Sequence, residues 1–202
     1  MMVKNIIFDL GGVVLEWNPQ RVEKEYKGNL EMPRFLFNSG FFQTHWAEFD
    51  RGTITQTKLV EKMAELSGYP LAECEGFVEF VKYSLDDIPQ TVELIKKFSE
   101  QGYSVYCLSN MSLEFYNYLK VRDWFSCFKG QIISALEGVI KPEAAIYELL
   151  LDRFQLKAEE CLFIDDLAPN IEAAKALGIQ TVHFTEREKG YAEIEQLVKQ
   201  LD

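Results

Sequence analysis

Short runs of consecutive apolar residues punctuate this chain, each stopping at a polar or turn-forming residue. The run over residues 4–8 stops at Asp9 and then Gly11-Gly12, which reads as a buried strand feeding a tight turn. Asp9 then sits at the strand's carboxyl end. Runs of the same kind cover residues 103–108, 161–164 and 181–184, with a weaker one at 131–134. Between them, apolar residues recur at helical spacing over 89–101, 113–120, 142–154, 170–177 and 190–201. The alternation predicts an α/β fold: right-handed crossovers, a parallel sheet with helices on both faces, and ligands bound beyond the carboxyl ends of the strands.

Residues 17–85 break the alternation. They carry amphipathic helical patterns at roughly 19–26, 41–49, 55–67 and 71–84 and no convincing strand. As a plain crossover this stretch is too long, so it reads as an inserted helical cap, leaving residues 1–16 and 86–202 as the catalytic core. A chain of 202 residues has room for one such core and one smaller elaboration.

Composition narrows the partners. The net charge of −11 comes from 32 acidic against 21 basic residues, and no stripe of Lys and Arg is present to neutralise a nucleic acid backbone. A small phosphorylated metabolite remains compatible, provided a local site of metal, Lys and backbone N–H groups receives it. Cys74, Cys107, Cys127 and Cys161 are widely spaced without a C-x-x-C pair, the pattern of free thiols in a reducing compartment. No stretch approaches the ~20 apolar residues of a membrane span and no leader pattern opens the chain, so a cytoplasmic protein is expected.

Four clusters fall at or just after predicted strand ends: Phe8-Asp9-Leu10-Gly11-Gly12-Val13-Val14, Cys107-Leu108-Ser109-Asn110, Gly138-Val139-Ile140-Lys141-Pro142 and Phe163-Ile164-Asp165-Asp166-Leu167-Ala168-Pro169-Asn170. Asp9, Asp165 and Asp166 supply the hard oxygen ligands that suit Mg²⁺. Lys141 offers a positive point charge to a transferring phosphoryl group, while the Ser109 hydroxyl and nearby amides can bind its oxygens. Pro142 is expected to open a helix aimed at the same region. Asp9 is the natural nucleophile, since an aspartyl carboxylate can carry a phosphoryl group that water later removes.

These clusters resemble the four motifs of the haloacid dehalogenase superfamily, over essentially the whole chain. Within it, the Phe-Asp-Leu-Gly-Gly-Val-Val opening, the cap segment Asp50-Arg51-Gly52-Thr53-Ile54-Thr55 and Phe163-Ile164-Asp165-Asp166 with Asn170 are most similar to the bacterial α-D-glucose-1-phosphate phosphatases. The resemblance implies a Rossmann-like core, an Mg²⁺-dependent phosphatase acting on small phosphomonoesters such as sugar phosphates, and a set of roles. Asp9 is nucleophile and metal ligand. Ser109 and Asn110 bind phosphate, and Lys141 stabilises its charge. Asp166 and the Gly11 carbonyl ligate the metal, with Asp165 as a ligand or its water-mediated neighbour. Specificity is expected from cap residues such as Trp17, Phe42, His45, Trp46 and Arg51.

The chain departs from the superfamily pattern at Gly11, where most phosphatases carry a second Asp that protonates the leaving alkoxide. General acid–base help is worth roughly 10²- to 10⁴-fold, so the departure slows hydrolysis, restricts it to good leaving groups, or requires a replacement, for which His45 is one candidate. Two rivals remain. A 2-haloacid dehalogenase uses a similar fold and nucleophile without metal, but the Asp165-Asp166 pair is costly beside Asp9 without a cation. A phosphate-binding module without turnover would keep the pocket and lose the chemistry.

Overall fold

The computed structural model describes residues 3–29 and 31–199. Five strands, β1 (Asn5–Phe8), β2 (Ser104–Ser109), β3 (Gly130–Ile133), β4 (Cys161–Asp165) and β5 (Gln180–His183), form one parallel sheet in the order β3-β2-β1-β4-β5. The central β1 lies in register with both neighbours, Phe8 opposite Cys107 on one side and Ile164 on the other. The residues just past these strands therefore meet along a single edge of the sheet.

Alternation along the strands sends side chains to two separate cores. Ile6, Phe8, Val105, Cys107, Leu162 and Ile164 join one cluster, and Ile7, Tyr106, Leu108, Ile132 and Phe163 the other. The second face is covered by α9 (Ala144–Phe154) and α10 (Ala168–Ala176), through Ile146, Tyr147, Leu150, Ile171 and Ala174. The first is covered by α6 (Pro89–Glu100) and α11 (Arg187–Lys199), and α7 (Leu113–Leu119) adds Phe115 and Leu119 to the same core. Burial on both faces explains why β1 and β4 read as unbroken apolar runs.

Between β1 and α6 the described residues add no strand to the sheet. It forms α1 (Pro19–Glu25), α2 (Glu31–Asn38), a π-helical turn (Phe42–Trp46) that runs into α3 (Ala47–Asp50), α4 (Gln56–Ser67) and α5 (Leu71–Tyr83). Asn18 and Thr55 cap the starts of α1 and α4 by accepting backbone N–H groups, and Gly68 ends α4 in the left-handed conformation. This insertion leaves and re-enters the sheet through paired backbone: Glu16 N–H donates to Asp86 (2.8 Å) and Ile88 N–H to Val14 (2.8 Å). Its buried residues, including Met32, Phe41, Phe49 and Phe77, belong to the same core as the first face of the sheet.

Four elements differ from the periodicity. Helix α2 was not expected, because Pro33 interrupts its pattern. The helix expected over 142–154 starts at Ala144, so Pro142 belongs to the preceding loop. Ser134 leaves the weak strand to open α8 (Ser134–Glu137). The last expected helix, over 190–201, begins earlier, at Arg187, and residues 200–201 lie outside the described residues. The four cysteines are free, and no helix among the described residues is long and apolar enough to cross a membrane.

Candidate active site

After β1 the chain turns sharply. The Leu10 carbonyl accepts N–H groups from Val13, Val14 and Leu15 at 3.3, 2.8 and 2.8 Å, which folds the loop back over the sheet edge. Gly12 is needed there: its φ is +75°, and an added Cβ would lie 2.6 Å from Asp166 Oδ2. The turn thus presses β1's exit against the exit of β4. It brings carboxylate oxygens of Asp9, Asp165 and Asp166 within 4.8 Å of one another.

Lys141 supplies the positive charge. Its ammonium lies 2.7 Å from Asp9 Oδ1 and 2.7 Å from Asp165 Oδ2 and 5.4 Å from the Phe163 ring centroid. Asn110, just past β2, fixes the loop that carries it: Lys141 N–H donates to Asn110 Oδ1 (2.8 Å) and Asn110 Nδ2 donates to the Lys141 carbonyl (2.9 Å). Asp165 is saturated by the protein, accepting from Lys141 Nζ, from Leu167 N–H (2.8 Å) and from Asn170 Nδ2. Asp9 and Asp166 carry fewer such bonds, and all three carboxylates stand close enough to share a cation.

Three carboxylates against one ammonium leave the cluster short of positive charge. Burial pushes Asp9 up to about 7, with Asp165 and Asp166 adding to the rise and Lys141 opposing it. Asp166 is pushed up to about 6, first by burial and then by Asp165, again against Lys141. Burial also disfavours the Lys141 ammonium, yet Asp165 and Asp9 outweigh it and hold the proton more tightly than usual. Such a cluster of oxygen donors, deficient in positive charge, fits a hard divalent cation.

The cluster forms the floor of a cavity of about 620 Å³. Gly11, Asp50, Asn110 and Asn170 also line it, and Trp17, Phe37, Phe42, Trp46, Val81, Leu85, Met111 and Phe115 make most of its wall. Trp17, Phe42 and Trp46, expected near the site, line this cavity. His45 is not: its ring bonds Glu48 (2.9 Å) and meets the edge of Phe41. Arg51 also points away, pairing with Glu143 and donating to the Gly138 carbonyl. Ser109 is buried at the end of β2 and does not line the cavity. Asp50 was not singled out by the sequence, although it immediately precedes Arg51.

Residues 3–178 match the family model of the haloacid dehalogenase-like hydrolases. The chain belongs to that family. It is 29% identical over 196 residues, 96% of each chain, to a sesquiterpene phosphatase of Aspergillus oryzae. It also matches part of a longer protein, acyl-CoA dehydrogenase family member 10 of Mus musculus, at 26% identity over 96% of this chain and 19% of that one. Among solved structures, a haloacid dehalogenase family enzyme of Bacteroides thetaiotaomicron, in complex with magnesium and inorganic phosphate, is similar with a TM-score of 0.72. That pair is 23% identical, covering 89% of this chain and 92% of the other. The hydrolase's sheet and strand order are those of the Rossmann-like fold expected for the family.

Proposed function

We propose that this hydrolase is an Mg²⁺-dependent phosphatase of small phosphomonoesters, with residues 17–85 acting as a cap over the site. The observation that carries the reading is one ammonium, Lys141, shared between Asp9 and Asp165, with Asp166 beside them at the floor of a cavity. Asp9 and Asp166, with the Gly11 carbonyl, would hold the metal. Bound Mg²⁺ supplies charge neutralisation, so that an anionic phosphate can rest beside an anionic nucleophile. Lys141 holds an equatorial phosphoryl oxygen, and the second N–H of the Asn110 amide reaches another. The Asp9 carboxylate attacks phosphorus, the leaving oxygen departs, and water then cleaves the aspartyl phosphate.

Metal binding must compete with protons on Asp9 and Asp166. Both carboxyls are raised, so both are protonated in acid and release their protons as pH climbs through about 6 and about 7. Mg²⁺ affinity is therefore expected to rise steeply between pH 5 and 7 and level off above pH 8, by roughly tenfold per pH unit for each group that must deprotonate. Calorimetric titration with Mg²⁺ across this range checks it. A flat profile would place the metal elsewhere.

The glucose-1-phosphate phosphatase resemblance favours sugar phosphates. The cavity favours a different leaving group: a hexose brings several hydroxyls that need partners, and burying them unpaired costs roughly 1–3 kcal/mol each, whereas this wall is mostly aromatic and aliphatic. Its chemistry suits the phosphate of an apolar alcohol such as an isoprenoid, in keeping with the name of the fungal relative. Phosphate release from a prenyl phosphate, a hexose 1-phosphate and 4-nitrophenyl phosphate, with and without Mg²⁺, separates these readings. The prenyl ester is expected to exceed the hexose ester at least ~10-fold in kcat/KM, since one to two buried methylenes already supply that factor. The reverse order restores the sugar-phosphate reading, and no metal-dependent release from any ester would leave a phosphate-binding module.

A further inference from the structure

Gly11 offers no proton to a departing alkoxide, so fast phosphatase chemistry on an ordinary alcohol ester at this site needs a donor from elsewhere. His45, tied to Glu48 outside the cavity, does not supply one. Among the described residues lining the cavity, three carry carboxyls: Asp9, Asp50 and Asp166. Asp9 and Asp166 belong to the cluster around Lys141, while Asp50 comes from the insertion, at the last position of α3.

Asp50 is fixed by contacts to core elements. The Ser112 backbone N–H bonds its carboxyl. The Ser134 hydroxyl donates to its backbone carbonyl. Two residues on, Gly52 (φ +77°) approaches α8 so closely that an added Cβ would lie 2.6 Å from the Ala135 carbonyl oxygen, and between them Arg51 is clamped by Glu143. These contacts hold the carboxyl at the cavity wall within electrostatic reach of Asp9. Burial drives the Asp50 carboxyl well above its ordinary range, Asp9 adds to the rise, and the Ser112 N–H opposes it. That direction favours the proton-bearing form.

Resting on the phosphatase reading above, we propose that Asp50 is the general acid and base of this site, taking the part of the carboxyl that Gly11 lacks. As the Asp9 oxygen bonds to phosphorus and the ester P–O bond breaks, the Asp50 proton moves to the leaving oxygen and the alcohol departs, with Asp50 left as carboxylate. Asp50 then takes a proton from the water whose oxygen attacks phosphorus. Asp9 is released as carboxylate, phosphate leaves, and Asp50 is neutral again.

The test separates the two half-reactions with Asp50→Asn, which keeps an oxygen for the Ser112 N–H. First-turnover rates are measured by rapid mixing with Mg²⁺. Release of 4-nitrophenolate, a leaving group that needs no proton, is expected within about threefold of wild type, followed by a slow steady state with phosphoenzyme accumulating. Release of a primary alcohol from its phosphate is expected to fall roughly 10²- to 10⁴-fold. Equal loss on both esters, or loss on neither, overturns the assignment. If Asp50→Asn does not fold, the wild type decides through a series of esters: weak dependence of first-turnover rate on leaving-group basicity supports an acid, and steep dependence overturns it. Absence of turnover by the wild type on every ester removes the phosphatase reading itself, and Asp50's role with it.

Discussion

Asp9→Asn is expected to abolish phosphate release from every ester while leaving a folded protein that, without metal, is more stable than wild type above pH 7. The activity loss should reach on the order of 10⁴-fold or more, because an amide oxygen neither displaces the ester oxygen nor forms the aspartyl phosphate. The stability gain has a separate origin. Burial, Asp165 and Asp166 raise Asp9 to about 7 in the fold, against an unfolded value near 4. A raised carboxyl contributes stability that is complete below the unfolded value and is lost as pH rises through the folded one. At pH 8 the wild-type fold thus carries a buried carboxylate it would rather protonate, at a cost of a few kcal/mol, since one pKa unit is worth about 1.4 kcal/mol. Asparagine removes that cost. Urea unfolding of both proteins in chelator at pH 4 and pH 8 checks the sign: the two should be alike at pH 4 and differ at pH 8. Added Mg²⁺ should narrow the gap by stabilising wild type alone.

The sheet was legible because its strands are buried on both faces. Residues 5–8 and 161–165 contain little but apolar side chains until the first carboxylate, so both the strand and the position of the chemistry could be read from one boundary. Lys141 lies on no strand or helix, and was found because it follows a predicted strand and precedes a proline. The residues of the helical insertion were harder. The π-helical turn Phe42–Trp46 adds a residue to its helical turn and changes which side chains share a face, so Phe42 and Trp46 reach the cavity while His45 between them turns to Glu48. A sequence gives neither the bulge nor the phase that follows it. Asp50 and Arg51 show the same limit. They are adjacent, and only the docking of Gly52 against Ala135 decides that the acid faces the site and the base faces Glu143.

Lys141→Ala should be the most destabilising change at the site, and its effect should depend on pH in a direction that identifies the cause. The ammonium bonds two buried carboxylates, Asp9 and Asp165, which are 9% and 0% exposed at the side chain. Removing one member of such a network costs roughly 3–5 kcal/mol, because the charges left behind are uncompensated. With Lys141 gone, Asp9 loses the charge that opposes its rise, so stability is kept below about pH 4 and lost as pH climbs through the raised value. The deficit relative to wild type should be small at pH 4 and full at pH 8, and Mg²⁺ should recover part of it by supplying the missing positive charge. A deficit equal at both pH values would instead trace to lost packing of the lysine stem against Phe163. Activity should fall by about 10³-fold even with saturating Mg²⁺, in the range seen when a charge stabiliser of phosphoryl transfer is removed. The metal and the lysine share Asp9, while Asp165 accepts from Lys141 and Asp166 is left for the cation. Recovery of stability by Mg²⁺ without recovery of activity would therefore separate Lys141's part in holding the fold from its part in the chemistry.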